Sequence, residues 1–241
     1  MNFRSAAALA GVDRRAIRRD SLLRLFVLFP FLIGLLMRWL VPAAQEIYGH
    51  LFDLEPYFEL IAAFFGLILM PGLAGTMIGL LLLDEKDAGT LTALRVTPLR
   101  MEHYLAYRLA VPTVIGVVST YIVLALLDLV AVPYIEMLPL AIVAALGAPI
   151  YALLLAAVAN NKVQGLALMK GMGVFYIAPI AAWFVPEPWQ WLLGVMPTYW
   201  PVKAFWQLLA GQPYWPTLVL GVAVAVVYLW ALLRSFRTAT G

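Results

Sequence analysis

The sequence predicts an all-α integral membrane protein of six transmembrane helices, and three observations carry that prediction. Hydrophobic residues make up 64% of the 241 positions and charged residues only 12%, more apolar surface than one soluble core of this length can hide. Six apolar runs, at 25–42, 58–83, 109–131, 139–159, 165–185 and 216–233, are each long enough to cross about 30 Å of hydrocarbon. Basic residues gather on one side of that pattern. With the N-terminus cytoplasmic, 14 of the 16 lysines and arginines fall inside, leaving Arg38 and Lys203 outside, so both termini are expected in the cytoplasm.

Residues 1–24 carry six arginines, and the apolar run that follows has no small-residue cleavage site. This is not the pattern of a cleaved signal peptide, so the first span is expected to stay in the mature protein. Arg14, Arg15, Arg18 and Arg19 recur at helical spacing, which predicts an amphipathic cytoplasmic helix before the bundle. The chain then divides into this segment (1–24), a six-span bundle (25–233) and a short cytoplasmic tail (234–241), all one membrane domain.

Prolines stand inside five of the runs, at Pro30, Pro71, Pro112, Pro149 and Pro179. Each removes a backbone hydrogen bond and permits a kink where neighbours re-satisfy the freed carbonyl, although proline is also simply commoner in membrane helices than in soluble ones. The second run carries "GLAGTMIG" at 72–79, whose Gly72, Gly75 and Gly79 allow close helix contact, within the chain or across a dimer seam. Asn160, Asn161 and Gln164 read as turn chemistry between the fourth and fifth runs. Arg38 and Asp128 both lie near outer ends, which suits snorkelling first and a mutual ion pair second.

Between the second and third spans the chain reads "LLLDEKDAGTLTALRVTPLR", residues 81–100. Asp84, Glu85 and Asp87 end a helix, where the macrodipole favours cations, and they lie beside a membrane face that usually collects lysine and arginine. They require a positive partner. Either the N-terminal arginines supply it, or another protein docks here. Gly89 can end the membrane helix in a left-handed cap, Thr90 can cap a new one, Leu91 and Leu94 share a face, and Pro98 stops it. A helix so short needs packing to persist.

These residues resemble the first cytoplasmic loop of the ABC-2-type membrane subunits of ATP-binding-cassette exporters. That loop carries a Glu, a Gly, a short coupling helix and a Thr-Pro-Leu-Arg-like ending, matched here by Glu85, Lys86, Gly89, Thr90, Leu91, Leu94, Thr97, Pro98, Leu99 and Arg100. "DRRAIRRDSLLRLFVLFP" at 13–30 resembles the family's connecting helix running into the first span, and "MPTYWPVKAFWQLLAG" at 196–211 its proline-containing segment before the last span. The resemblance implies an export permease for a lipophilic or amphipathic substrate, drugs included. It implies ATPase coupling at Glu85, Lys86, Gly89, Thr90, Leu91, Leu94 and Arg95, and a connecting helix bearing Arg14, Arg15, Arg18 and Arg19. The expected partners are two copies of a separate ATPase, a second permease subunit, membrane lipids and the cargo, with no nucleic acid.

The stretch 186–215 is too aromatic for an ordinary loop. Trp189, Trp191, Tyr199, Trp200, Phe205, Trp206, Tyr214 and Trp215 can form a headgroup-level anchor belt. The resemblance implies instead a re-entrant segment, with Pro197, Tyr199, Trp200 and Phe205 at an outer gate or exit.

No nucleotide-binding motif occurs: "GLALMKGMG" at 165–173 lies in a span and lacks the hydroxyl after lysine. The chain is therefore expected to bind no cofactor of its own, with ATP and Mg on the partner ATPase. An integral-membrane enzyme is the rival class. His50 and His103 are isolated on opposite sides, Asp128 stands alone near an interface, and Ser119 has no nearby base. A non-transporting scaffold or assembly subunit remains open. There is no cysteine, so neither disulfides nor a thiolate metal site is available.

Overall fold

The computed structural model describes residues 10–11, 13–15, 17–89 and 101–240. Among these the chain is helical without strands, and six helices are long and apolar enough to cross a membrane: Ser21–Tyr48, Glu55–Asp87, His103–Leu127, Met137–Val158, Lys162–Phe184 and Trp215–Phe236. All six predicted runs are present, shifted by a few residues at their ends. Ahead of them, residues 13–15 and 17–19 are helical. Before the last span, a 3-10 turn (Trp189–Val195) leads into an outer helix, Tyr199–Leu209.

Span two is the centre of the bundle. Its most apolar stretch is 89% buried and that of span four 72%, against 17% for span six and 22% for span one. Two interior helices are thus wrapped by helices that keep one face for lipid. The contact between the interior pair depends on small residues. A Cβ on Gly75 would lie 2.1 Å from the Ala148 carbonyl oxygen, and one on Gly79 would lie 2.8 Å from the Leu155 side chain. The glycine stripe of span two therefore packs inside the chain, where absent side chains let two backbones approach.

The prolines break helices in an orderly way. Pro71 follows a π-helical stretch, Phe64–Leu69, within span two. In the i→i−5 pattern of that stretch, residue 71 would donate to the Gly66 carbonyl, and proline has no N–H to give. Thr120 Oγ1 of span three donates to that carbonyl instead, at 2.8 Å. Pro179, inside the second half of span five, likewise leaves the Phe175 carbonyl one turn upstream without its donor. Thr198 Oγ1, just ahead of the outer helix, supplies one at 2.5 Å. Near Pro149, span four divides at Leu146 into Met137–Ala145 and Gly147–Val158. Pro30 and Pro112 remain within unbroken helices. Freed carbonyls in a bilayer must find donors, and here two threonines from neighbouring elements provide them.

Thr120→Val keeps the shape of the side chain and removes the donor, so it is expected to cost about 1 kcal/mol of stability. Pro71→Ala in the same chain returns a backbone N–H, and the double variant should recover part of that loss in detergent thermal unfolding.

Candidate functional site

The spans bring charged residues together at the end of the bundle that holds the N-terminal helix, called here the basal end. The acids that close span two meet two cations there. Arg108, on the first turns of span three, is only 1% exposed and is the largest fully buried side chain among the described residues. Its guanidinium donates to Asp13 of the N-terminal helix at 2.7 Å and pairs with Glu85 at the end of span two. Each carboxylate also receives a phenol: Tyr107 donates to Asp13 at 3.0 Å, and Tyr104 donates to Glu85. Arg108 Nε donates to the Tyr104 oxygen at 3.2 Å. A charge this deep persists only when paired and hydrogen-bonded, and here it has two counter-charges and two aromatic neighbours.

A second node forms around Lys162, the first residue of span five. Its ammonium donates to Asp20 and to Asp84, both at 2.9 Å, while its backbone N–H donates to Asp87 at 3.0 Å. Asp20 serves two elements at once. One oxygen caps span one by accepting from Leu22 N, the other holds Lys162. The hydrogen bond from Lys162 is the main reason its carboxyl is held below the ordinary carboxylate value; partial burial opposes this, and the Leu22 and Leu23 amides reinforce it. Asn161 and Gln164 cap the same helix, Asn161 accepting from Gln164 N and Gln164 from Asn160 N, both at 2.9 Å. Lys86 reaches the Ala159 carbonyl at 3.0 Å.

The described positive partners of the acids are therefore Arg108 and Lys162, not the N-terminal arginines. Arg14, Arg15, Arg18 and Arg19 are exposed, while Asp13 and Ile17, one turn apart, face inward. The N-terminal helix joins the cluster with an acid of its own. Sequence reasoning missed Asp13, Asp20, Tyr104, Tyr107, Arg108 and Lys162 as one constellation. The visible signal was Tyr104, Tyr107 and Arg108 at i, i+3 and i+4 on what proves to be a single helix face. Gly89 has a φ of +67°, the left-handed conformation expected after span two. Thr90, Leu91, Leu94, Arg95 and the Thr97–Arg100 ending lie outside the described residues.

At the opposite, distal end, Pro197, Tyr199, Trp200 and Phe205 are all buried within the chain, Phe205 completely. The Trp200 indole donates to the Gly194 carbonyl at 2.8 Å. Burial, aided by the Glu187 carboxylate, pushes the Tyr199 hydroxyl up to about 12. Trp189, Trp191 and Trp215 are exposed, so the aromatic segment divides between rings in the core and rings on the surface. Lys203 pairs with Glu187 and donates to Gln190 at 2.9 Å. Arg38 and Asp128 do form an ion pair, at 3.0 Å on the exposed surface, so the less favoured of the two sequence readings holds. Between spans one, two and three an apolar crevice of about 340 Å³ runs past Phe26, Pro30, Met77 and Val118, with Ser119 among its lining residues. Among the described residues, no group of three His, Asp or Glu side chains is placed to hold a metal ion.

Six apolar helices with buried charge confined to their ends define a multi-pass membrane protein. The chain belongs to the Rv2686c-like family of fluoroquinolones export permease proteins, whose description matches residues 13–233. It is 38% identical to two Mycobacterium tuberculosis proteins, the fluoroquinolones export permease protein MT2760 of strain CDC 1551 / Oshkosh and Rv2686c of strain ATCC 25618 / H37Rv. Each match covers 97% of this chain and 94% of the relative. No solved structure matches. The expectation of an export permease from the ABC-2 resemblance agrees with this family.

Arg108→Met leaves two carboxylates facing each other without a counter-charge, and is expected to cost about 3–5 kcal/mol. Adding Asp13→Asn and Glu85→Gln should restore most of the lost thermal stability. Asp20→Asn keeps a capping side chain but loses the ion pair. Because the folded pKa of Asp20 is depressed, its contribution is complete above the ordinary carboxylate value and is lost as pH falls through the depressed one. The difference in melting temperature between wild type and Asp20→Asn should therefore narrow as pH drops below ~4.

Proposed function

We propose that this chain is the membrane-spanning permease of an ATP-driven exporter that moves lipophilic or amphipathic compounds, drugs of the fluoroquinolone kind among them, out of the cell. Both termini and the basal end lie in the cytoplasm. Two copies of a separate ATP-binding-cassette ATPase hold ATP and Mg, a second permease subunit completes the assembly, and this chain carries no catalytic site or cofactor of its own. The observation that carries the reading is the basal cluster. Glu85 before the loop and Tyr104 with Arg108 after it are tied to each other and to Asp13, so both roots of residues 90–100 have a common anchor. A push on that loop reaches spans two and three and the N-terminal helix together, which suits ATPase closure rocking the bundle between two arrangements.

The buried distal segment supports a gate only if it moves, because Tyr199 and Phe205 lie within the core of this arrangement. The threonine links of the prolines in spans two and five give such movement defined hinges. The apolar crevice offers lipophilic compounds, or an acyl chain, a place beside spans one and three.

Purification of the tagged chain from its native membrane is expected to bring an ATP-binding-cassette ATPase with it, and fluoroquinolones should raise ATP turnover by the complex. Leu94→Arg should abolish that stimulation at normal expression, since a charge would be buried at the contact. Unchanged stimulation would remove the coupling role. Glu85→Lys is the poorer test, because it also strikes the Arg108 pair. Cysteines introduced singly at Tyr48, Tyr134 and Gln190 should react with an impermeant reagent from outside, and those at Thr92 and Thr238 should not. The reverse pattern would overturn the orientation.

A further inference from the structure

Among Arg38, Arg108 and Lys170 of the membrane-crossing helices, the first two lie toward the ends of their spans and have counter-charges. Arg38 pairs with Asp128, and Arg108 with Asp13 and Glu85. The third, Lys170, is exposed, and no ion pair or hydrogen bond of its side chain occurs among the described residues. It lies eight residues into span five, roughly 12 Å along the helix from Lys162. A lysine stem covers only part of that length.

The surroundings are apolar. Val163, Leu166 and Ala167, on the same side of the helical stretch Lys162–Gly171 as Lys170, are exposed, Val163 at 77% and Leu166 at 41%, and the neighbouring Gly171 is exposed and small. A Cβ at Gly171 would meet no atom within 4 Å, so the surface next to Lys170 is open. An unpaired ammonium on a lipid-facing surface is strongly disfavoured, which is why intramembrane charges face a cavity, a partner or a ligand. The neighbours exclude a solvated charged patch. What complements one fixed cation among exposed aliphatic side chains is a ligand with one anionic group on an apolar body.

We propose that this face of span five lines the cargo path, and that the Lys170 ammonium binds the carboxylate of an amphipathic aromatic cargo. The proposal deepens the exporter reading and rests on it. Lys170 sets specificity by charge: an acid gains an ion pair in a poorly hydrated place, whereas its neutral ester leaves the ammonium unsatisfied. A lipid headgroup phosphate offers the same anionic chemistry and is the competing source.

The test is binding of flumequine, a quinolone acid without a basic amine, and of its neutral ethyl ester to the purified permease–ATPase complex in phosphatidylcholine nanodiscs, followed by the quinolone's own fluorescence. Wild type should bind the acid at least tenfold more tightly than the ester. Lys170→Gln should erase that preference by weakening the acid alone, and Lys170→Arg should keep it. No preference in wild type, or a preference that survives Lys170→Gln, overturns the proposal. A preference that vanishes when phosphatidylglycerol replaces phosphatidylcholine also overturns it, because the ammonium then serves headgroups. Transport into inside-out vesicles is read separately. Intact acid-selective binding without transport removes the exporter reading and leaves the Lys170 site standing.

Discussion

Arg108 holds together three stretches of chain that are far apart in sequence: the N-terminal helix through Asp13, the end of span two through Glu85, and the start of span three on which it sits. Its burial makes the arrangement all-or-none. A guanidinium without counter-charges at 1% exposure is untenable, and so are two carboxylates without the guanidinium, so none of the three elements can leave without exposing the others to an uncompensated charge. The Lys162 node repeats the logic one layer out, where side chains are more accessible and the pairing weaker. Together the two nodes tie the basal ends of spans one, two, three and five, while the helices above them meet mainly through shape.

Packing by shape explains why span two tolerates so many irregularities. Its glycines let span four approach to backbone distance, which leaves no room for side chains to adjust. The strain of a proline has to be absorbed in the backbone, and the π stretch before Pro71 does this at the cost of a carbonyl that Thr120 then covers. Span five solves the same problem with a threonine borrowed from outside the spans. In both cases the carbonyl that a proline leaves free is completed by a donor on another element, so displacing either partner alone would strand a polar group.

Much of the fold was legible in the sequence because apolar run length is a direct physical requirement of crossing a bilayer, and all six runs became helices. The third was predicted to begin at 109, yet its helix begins at Met101. The intervening turns carry His103, Tyr104, Tyr107 and Arg108, polar enough to escape a hydropathy window although they are helical. The partners of the acids were missed for a related reason. Counting arginines near Asp84 and Glu85 favours the N-terminal four, but helical phase turns Arg14, Arg15, Arg18 and Arg19 outward and Asp13 inward, and phase is invisible to a count. The aromatic segment before span six divides ring by ring between core and surface, which composition alone cannot apportion.

The contact between Glu85 and Tyr104 joins the two strands of chain that lead into and out of the loop between spans two and three. Whatever shape that loop takes, its stem is fastened before the loop begins. A loop on a fastened stem can carry substitutions without loosening the helices beneath it, as a replaceable plug fits an unchanged socket. The buried cluster thus stands between the loop and the bundle, and holds the same three stretches of chain whichever residues the loop carries.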